Sequence, residues 1–237
     1  MGINHKIRKE DGKFKIKRGN EDECDWEEFV TKFEDKQREN FSTEISSIDE
    51  FLKEFLSKII AYLEKEHHNT NAYILKLQCQ SEESISCPMS KGKNIKVYNL
   101  SGEPYEIKEL RNFVFIKFYT TNENNIRPLV VGVTASKLVN FTSGPDCESW
   151  FSKCFTNSSG PARLYLTQKD LDWYEEKVII IPVESACSED PKPCVSANAA
   201  NESKCVIKKG RNISTPCRTM ALEIESELMK EYFLVGS

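Results

Sequence analysis

Between residues 47 and 66 the apolar positions fall at Ile48, Phe51, Leu52, Phe55, Leu56, Ile59, Ile60 and Leu63. That i, i+3, i+4, i+7 rhythm predicts one amphipathic helix of about five turns. Ser47, with Glu50 three residues on, supplies a capping box at its start. The stripe is broad enough to lie across a sheet. It lasts under three heptads, so a coiled coil is not expected. A second helical rhythm, Trp26, Phe29, Val30 and Phe33, predicts a helix over 25–38, and its acidic opening "EDECDWEEF" suits a helix dipole. A third helix, over 216–233, is expected from Ala221, Ile224, Leu228 and Tyr232, with Thr215 as cap and Pro216 in the first helical position.

Elsewhere the pattern shortens to strand length. The segments 72–79, 94–100, 113–119, 128–139, 162–167, 177–183 and 204–209 read as strands. Polar turns such as "NLSGEP" and "TTNENN" separate the early ones, which favours antiparallel connections. Two short helices are expected between strands: 146–154, and 168–176 capped by Thr167 with Asp170. At the N-terminus, Asp11-Gly12 sits between Ile7 and the pair Phe14 and Ile16, which predicts a hairpin. The expected fold is α+β: an antiparallel sheet of about five to seven strands, the long helix 47–66 packed on it, and a C-terminal helix. Residues 1–20 form a basic hairpin or arm, and 21–237 a single domain.

Composition changes this picture in one respect. Nine cysteines, at 24, 79, 87, 147, 154, 187, 194, 205 and 217, are many for 237 residues. Eight lie beyond residue 78, an even set suited to four bridges whose connectivity spacing does not reveal. The disulfide candidates are Cys79, Cys87, Cys147, Cys154, Cys187, Cys194, Cys205 and Cys217. Cys24 is left over, beside Glu23 and Asp25, which raise its pKa. Asn-X-Ser/Thr sequons occur at Asn40, Asn99, Asn140, Asn157, Asn201 and Asn212. Sixteen asparagines would give about two by chance, so six is an excess. Both excesses point to an oxidising secretory or extracellular setting. The segment 187–205 holds three cysteines, two prolines and a sequon but little to bury, so covalent ties are what would hold it. No signal peptide is visible in this chain, since "MGINHKIRKEDGKF" has no apolar core.

The net charge of −4 gives no field to gather nucleic acid, and no apolar run approaches membrane-spanning length. Seven Lys or Arg in residues 3–19 suit an acidic partner or a membrane surface, or merely a solvated edge hairpin. The cysteines form no zinc knuckle and no Cys-x-x-Cys pair, so neither a metal nor a cofactor is expected. Histidine is limited to His5, His67 and His68. No nucleophile elbow, phosphate loop or metalloprotease motif accompanies them. Trp150 and Trp173 are aromatic candidates for contact with a ligand.

The expected function is that of a secreted or cell-surface glycoprotein domain that binds a protein or glycan partner. One alternative is a carboxylate-dependent hydrolase of glycosidase type. It would draw on Asp170, Asp172, Glu175 and Glu176, or on Glu223 and Glu227, and it requires two facing carboxylates with one pKa raised. Another is an intracellular interaction protein with reduced cysteines.

Overall fold

The computed structural model describes residues 5–18, 21–41, 47–66, 72–79, 93–104, 113–123, 125–134, 160–183 and 216–236. In chain order these form β1 (His5–Glu10), β2 (Lys13–Arg18), β3 (Cys24–Asp25), α1 (Trp26–Asn40), α2 (Ile48–Lys65), β4 (Tyr73–Cys79), β5 (Lys93–Tyr98), β6 (Phe113–Thr120), β7 (Ile126–Thr134), α3 (Pro161–Lys169), β8 (Asp172–Pro182), α4 (Pro216–Glu231) and β9 (Val235–Gly236). The fold is α+β. A six-stranded sheet runs β5-β4-β8-β6-β7-β9, and a three-stranded sheet runs β1-β2-β3. The larger sheet is mixed rather than purely antiparallel, because the two-residue β9 lies parallel to β7.

Helices α2 and α4 together cover one face of the large sheet. Phe51, Leu52, Phe55, Leu56, Ile59 and Leu63 of α2 share a core with Ala221, Ile224, Leu228 and Met229 of α4. Beneath them lie Val114, Ile116 and Phe118 of β6, Val131 of β7 and Ile179 and Ile181 of β8. The alternation along β6 is what aims Val114, Ile116 and Phe118 at the same face. Ser47 Oγ accepts the Glu50 N–H at 3.2 Å, so the expected cap of α2 is in place.

The opposite face carries a second core. Tyr119, Leu129 and Val130 pack with Ile16, with Trp26, Phe29, Val30 and Phe33 of α1, and with Ala162, Tyr165 and Leu166 of α3. A register shift at Lys117/Phe118 is why neighbours Leu129 and Val130 both serve this core. Lys117 is buried on β6, its ammonium 5.3 Å from the Phe115 ring centre and 5.5 Å from that of Trp173. Trp173 is thus a half-buried partner of that lysine.

Two expected elements are exchanged. Residues 162–167 are helical and 172–176 belong to β8. Gly160 (φ 144°) and Pro161 start α3, and Asp170 in the left-handed region (φ 53°) ends it. The Leu171 N–H then donates to the Leu166 carbonyl, turning the chain into β8. Thr167 is therefore interior to α3, and Asp170 follows its last turn. The helix expected at 146–154, the strand at 204–209 and the Thr215 cap lie outside the described residues.

Candidate functional site

The N-terminal hairpin turns at Asp11 (φ 49°) and Gly12 (φ 82°), the two positive φ values of a type I′ turn. That turn fixes the register His5↔Arg18, Lys6↔Lys17, Ile7↔Ile16, Arg8↔Lys15, Lys9↔Phe14 and Glu10↔Lys13. Directly paired residues share a face. One face therefore gathers His5, Ile7, Lys9, Phe14, Ile16 and Arg18. The other gathers Lys6, Arg8, Glu10, Lys13, Lys15 and Lys17.

The outward face is charged throughout. Lys6 stands directly opposite Lys17, and Arg8 opposite Lys15, both like-charge pairs. Arg8 is compensated: its Nε donates to Glu23 Oε1 at 2.7 Å, and it lies 3.4 Å from Glu10. Lys15 pairs with Glu10 at 3.0 Å. The hydrogen bond from Lys15 holds the Glu10 carboxyl below its usual range, and that from Arg8 does the same for Glu23. Among the described residues, Lys6, Lys13 and Lys17 are exposed and have no ion pair.

The inward face is anchored at its open end, opposite the turn, by two polar groups. The His5 Nδ1 accepts the Gly236 N–H at 3.2 Å. Its Nε2 is buried without a partner among the described residues. Burial, aided by the charge of Arg18, pushes the His5 pKa down to about 4, so His5 is neutral at pH 7. Arg18 is 5% exposed. Its Nη2 donates to the Met229 carbonyl in the last turn of α4, where a cation complements the helix dipole. Its guanidinium lies 4.3 Å from the Phe233 ring centre. Its Nη1 is 3.8 Å from Glu21 Oε1, beyond hydrogen-bond reach, and its buried Nε has no partner among the described residues.

Arg18 lines a cleft of about 380 Å³ between the small sheet, α1 and the C-terminal segment. Ile16, Phe29, Phe233 and the half-buried Cys24 give it apolar walls. Glu21, Asp22, Glu23 and Glu28 supply carboxylates, and Lys32 pairs with Glu28 at 2.8 Å. The Cys24 thiol is free, and burial raises its pKa more than any neighbouring carboxylate does; Glu28 contributes next and Asp25 least.

The sequence-derived candidates are dispersed. Asp170 and Asp172 are exposed around the α3–β8 turn, and Glu223 is exposed on α4. None of them lines the cleft. The side chains of Glu175 and Glu176 lie outside the described residues. Glu227 is half-buried on α4, where its charge helps push the Tyr62 phenol up to about 12, behind the larger effect of burial. Among the described residues, no group of three or more His, Cys, Asp or Glu side chains is placed to hold a metal ion. Cys79 falls at the end of β4 and Cys217 in the first turn of α4. Cys87, Cys147, Cys154, Cys187, Cys194 and Cys205 lie outside the described residues, as do Asn140, Asn157, Asn201, Asn212, Trp150, His67 and His68. Asn99 closes a turn, its Oδ1 accepting the Glu103 N–H at 2.9 Å. The Nδ2 of Asn40, the atom a glycan would occupy, is buried at the end of α1.

Arg18 and His5 are the residues that sequence reasoning passed over. No protein-family model, curated protein or solved structure matches this chain.

Proposed function

We propose that this chain works by binding a protein partner through its N-terminal layer, as a secreted or cell-surface glycoprotein domain. The reading is carried by the outward face of the hairpin. Like charges set directly opposite one another weaken a sheet, yet Lys6 and Lys17 stand so, uncompensated among the described residues. An anionic partner removes that repulsion, which gives the arrangement a use that folding alone does not.

The mixed charge nearby favours protein over an anionic glycan. Glu10 and Glu23 sit among the basic residues of that face, paired with Lys15 and Arg8, and they repel a polyanion while suiting a partner of alternating charge. The cysteine and sequon excesses support the extracellular setting.

Two measurements test the two halves of the reading. Protein from its native source, alkylated without reductant, is expected to label Cys24 and few other cysteines, and to lose mass on deglycosylation. Nine labelled thiols and an unchanged mass would remove the extracellular setting. For the binding face, the chain fused to a proximity-labelling peroxidase on intact cells is expected to mark a discrete set of surface proteins. The Lys6→Glu/Lys13→Glu/Lys17→Glu variant is expected to lose that set. An unchanged set would end the proposal.

A further inference from the structure

We infer that the cleft over Arg18 receives the C-terminal carboxylate of a partner polypeptide whose last residue is apolar and whose preceding residues are basic. The inference rests on the protein-binding reading above and narrows it to one chemistry.

A guanidinium carries five N–H donors, and leaving them unused in a buried site is unfavourable. At Arg18, among the described residues, Nη2 is engaged by the Met229 carbonyl and Nε is buried out of reach, so Nη1, with only a loose contact to Glu21, is the donor left for a ligand. Phe233 already holds the group in place from one side. A carboxylate oxygen is the acceptor that a guanidinium N–H binds most strongly. Ile16, Phe29 and Phe233 then offer an apolar wall for the side chain beside that carboxylate.

Charge order sets the direction of entry. Arg18 is the buried cation of the cleft, and Glu21, Asp22, Glu23 and Glu28 are exposed at it, with Lys32 paired to Glu28. A single negative charge is accepted at the buried Arg18, and positive charge is favoured among the exposed carboxylates. A chain end meets this demand end-on. An aspartate in mid-chain would carry backbone past the same carboxylates in both directions. The volume, about 380 Å³, lies at the small end of the ligand-cleft range of about 300–1,000 Å³, as a terminal residue requires. Capture of a C-terminal carboxylate is a recurring mode of peptide recognition.

The test uses fluorescein-labelled Gly-Lys-Lys-Leu with a free C-terminus, titrated with the full chain at low salt and followed by anisotropy. Amidating the terminus is expected to weaken binding at least tenfold. Glu21→Gln with Asp22→Asn, both exposed, is expected to weaken the free-acid peptide several-fold. Arg18→Gln is expected to abolish its binding, with circular dichroism showing whether the fold persists. Equal binding of acid and amide overturns the inference, and so does an amidated Gly-Lys-Lys-Asp-Leu that binds as well as the free acid. No binding of any peptide at millimolar concentration overturns it too. If the peptides fail while the triple lysine variant still loses its labelled partners, the cleft assignment is wrong and the binding face stands. If the free acid binds as expected and the partner set ignores the lysines, the broader reading fails instead.

Discussion

The two faces of the large sheet are held in different ways. On one, α2 and α4 meet the strands mainly through aliphatic and aromatic side chains, with Leu52, Leu56, Ile59, Leu63, Ile224 and Leu228 fully buried and an ion pair from Lys177 of β8 to Asp49 at the start of α2. On the other, the N-terminal layer adds polar ties: Arg18 to Met229, His5 to Gly236, the Trp26 indole N–H to Gln168, and the Tyr165 hydroxyl to Glu34 at 3.4 Å. Apolar contact is indifferent to pH, whereas the His5 tie responds to it. The first face is a scaffold. The second includes links that depend on charge and protonation.

The largest expected effect belongs to the scaffold. Phe55 of α2 touches Phe41, Phe51, Phe118 and Tyr232. Phe55→Ala is expected to remove about 3–5 kcal/mol in urea unfolding, since it leaves a cavity in a close-packed core. A loss under about 1 kcal/mol would mean that this face is not the principal core.

Acid comes next, and it acts on the other face. The folded His5 pKa, about 4, lies below its unfolded value of 6.5. Between those values the unfolded chain binds the extra proton, so stability falls as pH drops from about 6.5 to 4 and is unaffected above that window. The difference amounts to about 3 kcal/mol. His5→Leu should remove that part of the pH slope, and an unchanged slope in the variant would clear His5 of the role. Ser47→Ala is expected to cost about 1 kcal/mol by leaving the Glu50 N–H uncapped. The smallest effect separates function from folding: Lys17→Gln should leave stability unchanged or raise it by a few tenths of a kcal/mol, because it relieves repulsion from Lys6.

The sequence made the scaffold legible and the site much less so. A stripe of eight apolar residues over 47–66 has one reading at that length, and Asp11-Gly12 announces its turn. Residues 162–176 misled because "ARLYLT" alternates like a strand while "DLDWYEE" carries helix formers. The signals that decided the matter were single residues, Pro161 after a glycine and Asp170 in a left-handed turn. Strand β9 has two residues and no pattern to read. Arg18 was hidden among seven basic residues that look like a solvated run. One step would have found it: extending the hairpin register from Asp11-Gly12 puts Arg18 on the face of Ile16 and Phe14, and His5 opposite it. Its contacts with Met229 and Phe233 join segments more than 200 residues apart, which no local pattern encodes.

Native-state hydrogen exchange, followed residue by residue as urea rises, tests the contrast between the faces most directly. Amides of β1, β2 and α1 are expected to exchange through openings of lower free energy than those of α2, β6 and β8, and that gap should widen at pH 5. A single shared opening energy for both sets, unchanged by pH, would contradict the account.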